Sequence, residues 1–467
     1  MQYYFDWLHY IHTRKLRTEQ YKEELRKSNL SIEEMTEKWK EFCGNESAML
    51  RKRRTRTRAN DFHILTQVGQ GGYGAVYLAR KTDTSEVCAL KKMSKKLLQK
   101  LNEIDHILTE RDVLTAANSP WLVKLLYSFQ DVEHVYLAME YVPGGDMRTL
   151  LNNSGILREE HTRFYVAEMF MCVNALHQLG FLHRDLKPEN FLIDYSGHLK
   201  LTDFGLSKGS LSSKHLSTLR SKFEAIKNQK LIYRSSIERR NIHTIRRAEN
   251  VTWAYSLVGS PDYMAPEILG KDGYDYAVDY WSIGCIMYEF LAGFPPFSAP
   301  TMDEVWLNVY RWQEVLERPV YTRPEDLEFN LTDVAWDLIT RLITARDRRL
   351  ASIAEVQIHP FFAGWHFPRM REEVLPPFVP QLDSEFDTSY FDDFSNPQHM
   401  AMYKEVNDKK EKLEAQLKSE PVRDAVPRNA FVGFTFRHKQ ASQLLDGVAK
   451  REYVNSSDES SYYRTMF

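Results

Sequence analysis

His183-Arg184-Asp185-Leu186-Lys187-Pro188-Glu189-Asn190 is the stretch whose reading decides the fold. It sets a lysine two residues and an asparagine five residues beyond an aspartate. Asp203-Phe204-Gly205 follows after 12 intervening residues, and Ala265-Pro266-Glu267 comes later. An aspartate can accept or orient the proton of a hydroxyl, and a lysine can meet an anionic oxygen. Amide and carboxylate oxygens suit a hard cation that binds few protein groups. Three such strings in this order are not an accident of composition.

Upstream lies Gly69-Gln70-Gly71-Gly72-Tyr73-Gly74, a G-x-G-x-x-G string. Alone it is weak, because a dinucleotide-binding turn uses the same letters and leads from a strand into a helix. Here strand-like residues lie on both sides, and Val76 completes G-x-G-x-x-G-x-V. Glycines in a hairpin let backbone N–H groups approach phosphate oxygens without obstruction by a Cβ. Lys91, in Cys88-Ala89-Leu90-Lys91, lies on the next apolar strand. Its ammonium needs a carboxylate to fix it. Glu110 is the expected partner, since Ile107, Leu108, Val113 and Leu114 flank it on an inward-packing helix, and Glu103 competes.

With these motifs in hand, residues 62–362 resemble the eukaryotic protein kinases. The resemblance implies an α+β, bilobal fold with a small β-rich lobe and a larger helical lobe. It implies ATP and Mg2+ as cofactors, with Mn2+ able to substitute. Asp185 then handles the substrate proton, and Lys187, typical of serine/threonine kinases, reaches the γ-phosphate. Lys91 and Glu110 complete the catalytic set, and Asn190 and Asp203 hold the metal. Val68, Gly69, Gln70, Gly71, Gly72, Tyr73, Gly74 and Ala75 form the nucleotide loop. Val76, Ala89, Met139 and Leu192 line the adenine slot, and Glu140 and Val142 meet adenine through their backbones. His183, Glu267 with Arg349, and Asp279 are read as structural supports.

Three further strings resemble the AGC group: the hinge Met139-Glu140-Tyr141-Val142-Pro143-Gly144-Gly145-Asp146, the loop Val258-Gly259-Ser260-Pro261-Asp262-Tyr263, and the hydrophobic motif Phe431-Val432-Gly433-Phe434-Thr435-Phe436. The long interval from Gly205 to Ala265 and a basic, aromatic arm before the domain resemble the NDR/LATS family, closest to its fungal mitotic-exit and septation kinases. The implied organisation is an N-terminal helical arm (1–60), a kinase domain (61–362) with a basic insert (208–250), and a C-terminal tail (363–467) carrying the motif at 431–436.

Bulk properties agree with this reading. The 467 residues carry a net charge of −2, with 43% hydrophobic and 27% charged residues, the balance of a globular protein. No global charge points to nucleic acid. Charge is local: residues 1–58 hold 14 Lys+Arg against 9 Asp+Glu, and residues 208–250 hold 11 against 3. Within the arm, Ser31-Ile32-Glu33-Glu34 is a capping box, and Met35, Trp39 and Phe42 follow on one helical face. The insert is polar, with little apolar periodicity, and can be imagined occupying the active site. Cys43, Cys88, Cys172 and Cys285 form no C-x-x-C pair and read as reduced thiols. No apolar run approaches the about 20 residues needed to cross a bilayer.

The resemblance also implies partners. A Mob-family coactivator would bind the arm through Arg14, Lys15, Arg17, Arg51, Arg53 and Arg54. An upstream Ste20-like kinase is implied, and Ser256 and Thr435 are the implied phosphosites. Asp146, Glu189 and Ser260 would receive a basic, R-x-x-S-like substrate. The expected address is cytoplasmic, with the spindle pole body and the division septum or bud neck implied by the branch, and the nucleus also open. Competing readings are an NDR-type kinase of polarity and morphogenesis, a pseudokinase scaffold and a nucleotide-dependent oxidoreductase.

Overall fold

A computed structural model of the chain describes residues 2–71, 74–205, 207, 221, 224–248, 261–269, 275–397, 400, 403–404, 407–408, 411–413, 415, 427 and 429–438. Gly72, Tyr73, Ser256 and Ser260 lie outside the described residues.

Two long helices come first, α1 (Gln2–Lys27) and α2 (Ile32–Arg54). The Ser31–Glu34 capping box opens α2 in both directions. The pair closes on aromatic and ionic contacts. Tyr21 stacks on Phe42 with centroids 4.3 Å apart, and buried Glu46 accepts from Arg17 Nε and Nη2 at 3.0 and 3.1 Å.

The small lobe is a six-stranded antiparallel sheet in the order β1-β2-β3-β5-β4-β8. Its strands are β1 (Phe62–Gly71), β2 (Gly74–Lys81), β3 (Val87–Ser94), β4 (Leu125–Gln130), β5 (His134–Glu140) and β8 (Phe436–Arg437). Two helices interrupt it, α3 (Lys95–Lys100) and α4 (Ile104–Ala116). Period-two alternation splits β5 between two cores. Val135, Leu137 and Met139 face the main core, while Tyr136 and Ala138 join Phe62, Cys88, Leu90 and Phe129 on the other face. The strand that follows Gly74 removes the oxidoreductase reading, which requires a helix there.

The large lobe is helical, with α5 (Met147–Ser154), α6 (Glu159–Gln178) and a two-stranded ribbon of β6 (Phe191–Ile193) and β7 (Leu199–Leu201). Further helices are α7 (Ser236–Ala248), α8 (Ala277–Ala292), α9 (Met302–Tyr310) and α10 (Asp333–Leu342). Every residue of α8 is buried, so this helix is the axis of the lobe. A Cβ on Gly284 would lie 2.8 Å from Leu342 Cβ, so only glycine lets α8 and α10 pack this closely.

The reading of the insert as polar, with little apolar periodicity, does not anticipate helix α7. The repeat exists, but it is cationic. Arg239, His243 and Arg246 share one face at helical spacing. Arg239 donates to the carbonyls of Pro296 and Val315, both at 2.9 Å, and Arg246 to that of Ala299 at 3.0 Å. Ile237 and Ile245 point to solvent.

The tail runs back over both lobes. Arg371 donates to Asp194 at 2.9 Å, Tyr141 donates to the Asp387 carbonyl at 2.5 Å, and β8 joins the edge of β4 with Ser128 opposite Phe436. The hinge glycines answer this approach. A Cβ on Gly145, whose φ is +74°, would lie 2.7 Å from the Tyr390 carbonyl oxygen.

Candidate active site

The cleft between the lobes collects most of the described candidate residues. Register builds its roof. Val76 pairs with Lys91 across β2–β3, and Ala89 pairs with Met139 across β3–β5. Residues two apart share a face of a strand, so Val76, Ala89, Lys91 and Met139 line one surface. Val142 is buried just beyond β5. Leu192 lies on β6, bridged to Asp146 from below.

Helix α4 brings Glu110 to this surface. Lys91 Nζ donates to Glu110 Oε1 at 2.7 Å and to Oε2 at 2.9 Å. Glu110 is buried. Burial pushes its carboxyl upward, with the Lys91 ammonium working against the shift. Glu103, the competing partner, is engaged instead with His106 Nδ1 at 2.6 Å.

Below, the catalytic loop is held from the core. Asp279 on α8 accepts from the backbone N–H of His183 at 2.9 Å and of Arg184 at 2.8 Å, and meets His177 Nε2 at 2.8 Å. Burial works against the charge on Asp279, yet His177 and these donors keep its pKa below the usual value. The bracing bends the loop, since Arg184 has a φ of +70°. Lys187 Nζ then lies 2.9 Å from Asp185 Oδ2. Asn190 Nδ2 donates to the Asp185 carbonyl at 2.7 Å, which turns its amide oxygen the opposite way.

Asp203 stands open to solvent in the cleft with a φ of +62°, while the next residue, Phe204, is fully buried against His183. Although the residue reaches solvent, the protein packed around its carboxyl opposes the charge, and Lys91 and Lys187 outweigh this and hold it below the usual range. Burial likewise opposes the charge on Lys187, and Asp185, Glu189 and Asp203 outweigh it.

A nucleotide and a divalent metal fit this donor set. Asp203 and Asn190 offer oxygens alone, and among the described residues no group of three or more His, Cys, Asp or Glu could hold a metal by itself. That suits a hard cation completed by phosphate oxygens. The glycine loop divides its labour. A Cβ on Gly74 would lie 2.1 Å from the Lys92 carbonyl oxygen, whereas one on Gly71 meets only the Gly74 oxygen at 3.6 Å. Gly74 therefore serves the sheet, and Gly69 and Gly71 keep the loop surface clear. Val68, Gln70 and Ala75 belong to the same hairpin, where Gln67 Nε2 donates to Gln70 Oε1 at 2.7 Å.

Remaining candidates fall into three places. Asp146 caps α5, accepting from the Thr149 N–H at 2.8 Å, and burial pushes its carboxyl up to about 6. Glu189 lies on the catalytic loop beside Arg148, Nε to Oε1 3.1 Å. Glu140 uses its side chain on the Lys124 N–H at 2.8 Å and on Lys200 Nζ at 2.9 Å. Thr435 is exposed between buried Phe434 and half-buried Phe436. The arm cations are divided. Arg14 and Arg17 turn inward to Glu46 and Arg53 lies 3.9 Å over the Tyr10 ring. Arg54 lies 5.9 Å over Trp7, and Lys15 and Arg51 face solvent.

Sequence reasoning passed over several residues. Arg148, Tyr263 and Glu289 form an ion cluster beside the catalytic loop. Arg111 joins α4 to the tail by donating to the Gly433 carbonyl at 2.5 Å. Only the adjacency of Arg111 to Glu110 could have signalled the last.

Comparison with known proteins follows the same lines. The protein kinase domain profile matches residues 62–227 and 242–362, and the protein kinase C terminal domain profile matches 382–436. The chain is 50% identical over 442 residues to the serine/threonine-protein kinase sid2 of Schizosaccharomyces pombe, covering 95% of this chain and 72% of that protein. It is 48% identical over 474 residues to the serine/threonine-protein kinase DBF20 of Saccharomyces cerevisiae, covering 100% and 82%. It is 47% identical over 470 residues to the cell cycle protein kinase DBF2 of the same yeast, covering 99% and 81%.

Proposed function

The chain belongs to the protein kinase family, as a serine/threonine kinase of the NDR/LATS branch of the AGC group, and we propose that it phosphorylates basic, R-x-x-S-like proteins under the control of a Mob-type coactivator. In this reading Asp185 takes or orients the substrate proton, and Lys187 offers charge to the transferring phosphoryl group. Lys91, fixed by Glu110, holds the α- and β-phosphates of ATP. Asn190 and Asp203 hold Mg2+, for which Mn2+ can substitute. The metal supplies neutralisation of phosphate charge when bound.

Phosphorylation of Ser256 and Thr435 would switch the enzyme on, with a Ste20-like kinase acting upstream. Control of mitotic exit, cytokinesis or septation is favoured over a role in polarity, because a relative at 47% identity, DBF2, is a cell cycle protein kinase. Among the described residues no helix is long and apolar enough to cross a membrane.

One observation carries the catalytic reading. The Lys91–Glu110 pair, the Asp185–Lys187 pair and Asp203 are held in one cleft by four separate elements, β3, α4, the catalytic loop and the segment after β7, with cation and carboxylate in mutual electrostatic contact. The test is transfer from ATP to an arginine-bearing serine peptide by the purified chain, with and without a Mob-family protein. Asp185→Asn should lower turnover by about 10²-fold or more while ATP still binds. Equal turnover by that variant sinks the assignment, and the pseudokinase reading gains if the wild-type chain with coactivator transfers nothing.

A further inference from the structure

Arg148 is the second residue of α5, two positions after Asp146. Its guanidinium lies beside the catalytic loop, where four elements meet. Nη1 donates to Glu289 Oε1 at 2.7 Å and Nη2 to Glu289 Oε2 at 3.2 Å. Nη2 also donates to the Tyr263 hydroxyl at 2.5 Å, and Nε to Glu189 Oε1 at 3.1 Å. Four of the five N–H groups of the fork are engaged. Glu289, on the central helix α8, is fully buried, the Arg148 side chain keeps 16% of its exposure, and the Glu189 side chain keeps 43%. A pocket with this construction has an acidic floor, an aromatic hydroxyl on its wall and an open acidic rim. Such a shape suits a guanidinium arriving from solvent, but here the guanidinium comes from the chain itself.

The charges around it do not balance. Asp262 is matched by Arg246 at 3.8 Å, and Glu289 has, besides Arg148, the Tyr263 hydroxyl donating at 2.5 Å and His243 Nε2 at 3.5 Å; Asp146 and Glu189 face the mouth, and Arg148 takes both oxygens of Glu289 but only one of Glu189. Asp146 and the remaining oxygen of Glu189 stay at the mouth, close enough that Glu189 raises the Asp146 carboxyl. One cationic side chain can still be received there. A second would have to displace a bidentate, buried pair, and leaving that pair open is costly.

We propose that Arg148 is a specificity-determining residue: it fills from within a carboxylate subsite that would otherwise take a second substrate arginine, so the enzyme reads one upstream arginine, through Asp146 and Glu189. The inference rests on the basic-substrate reading above and narrows it. Substrates with two arginines gain nothing over those with one. Truncating Arg148 removes the bidentate cation from buried Glu289, leaving it the Tyr263 hydroxyl and His243, and opens the floor to a peptide guanidinium.

A positional scan of serine peptides, with arginine moved through each upstream position, tests this on the full chain with its coactivator. The wild type should favour arginine at one position. Arg148→Ala, and Arg148→Met, which keeps the packed stem, should each add a second arginine preference. The gain in kcat/KM should be about tenfold or more, the scale of a charge-assisted hydrogen bond regained. Lysine at the new position should gain less, because it lacks the fork. A wild-type enzyme that already favours two arginines overturns the proposal however the variants fold. So does a single-arginine preference that both folded variants leave unextended. A wild type indifferent to arginine everywhere refutes the basic-substrate reading itself, a different outcome.

Discussion

Phe434→Ala should uncouple the C-terminal tail from the catalytic ion pair. Phe434 is fully buried and Phe431 nearly so, their rings edge to face at 5.9 Å. The backbone around them is held by side chains of the small lobe. Ser128 Oγ donates to the Phe434 carbonyl at 2.5 Å, Gln130 Nε2 to that of Phe431 at 2.7 Å, and Arg111 to that of Gly433. Arg111 also lies 5.7 Å over the Phe434 ring. Removing a buried phenylalanine ring costs about 3–5 kcal/mol in a core. Here the loss falls on docking of the segment rather than on global folding, and 3 kcal/mol is roughly a hundredfold in the docking constant. Arg111 then loses both its carbonyl and its ring. Since it follows Glu110 on α4, the helix that presents Glu110 to Lys91 loses its outer anchor. Amide exchange should speed up in residues 436–438 and 104–116, and kcat should fall while the large lobe stays protected. Val432→Ala, on the same segment but 76% exposed, should do neither. Wild-type kcat and unchanged exchange in α4 for Phe434→Ala would refute the coupling, because they would show that α4 holds Glu110 without the tail.

Two further outcomes follow from the geometry of the cleft. Gly74→Ala drives a Cβ into the Lys92 carbonyl and should lower the thermal midpoint, at a cost of about 1–3 kcal/mol; Gly71→Ala meets no such atom and should leave the midpoint alone while raising KM for ATP. Asp146, with its carboxyl pushed up to about 6, goes from about one-tenth to about nine-tenths ionised between pH 5 and 7. The kcat/KM ratio of an arginine peptide to its alanine counterpart should therefore rise close to tenfold over that window, and a flat ratio counts against Asp146 as the receiving group. The same shift bears on folding with a definite sign: a raised carboxyl favours the folded chain most below its unfolded pKa of 3.8, and that advantage is lost as pH rises towards 6.

Much of the catalytic cleft was legible because its chemistry demands particular residue types at short spacings. Lys91 and Glu110 are 19 residues apart, yet the strand and helix that carry them each announce an inward face through their apolar neighbours. The ion cluster of Arg148, Glu189, Tyr263 and Glu289 was not legible. Its members lie on four elements, and no local pattern marks an arginine that pairs 141 positions away. Helix α7 was missed for a different reason. Hydrophobic periodicity assumes that a docked helix buries apolar groups, but this one buries arginines against carbonyl oxygens of the large lobe. Nothing local marked the hinge glycines as close-packed, because their closeness to Tyr390 and Pro380 depends on where the tail returns.

Arg437 extends the chain of contacts to the arm. The last carbonyls of a helix have no partner within it, and at the end of α2 they are met from the tail. Arg437 Nη2 donates to the Thr55 carbonyl at 2.8 Å and to Thr57 Oγ1 at 3.2 Å, and Nη1 reaches the Arg53 carbonyl at 3.4 Å. The same residue pairs with Tyr127 across β8–β4. Arm and sheet thus meet at one residue of the tail, the arm through its side chain and the sheet through its backbone, and the tail in turn shares Arg111 with α4. Coupling between binding events is reciprocal. A partner that binds the arm more tightly when the tail is docked must strengthen tail docking by the same factor, and through Arg111 it must favour the position of α4 in which Glu110 meets Lys91. Such a partner would bear on Lys91 through the tail and Arg111 without itself touching the cleft.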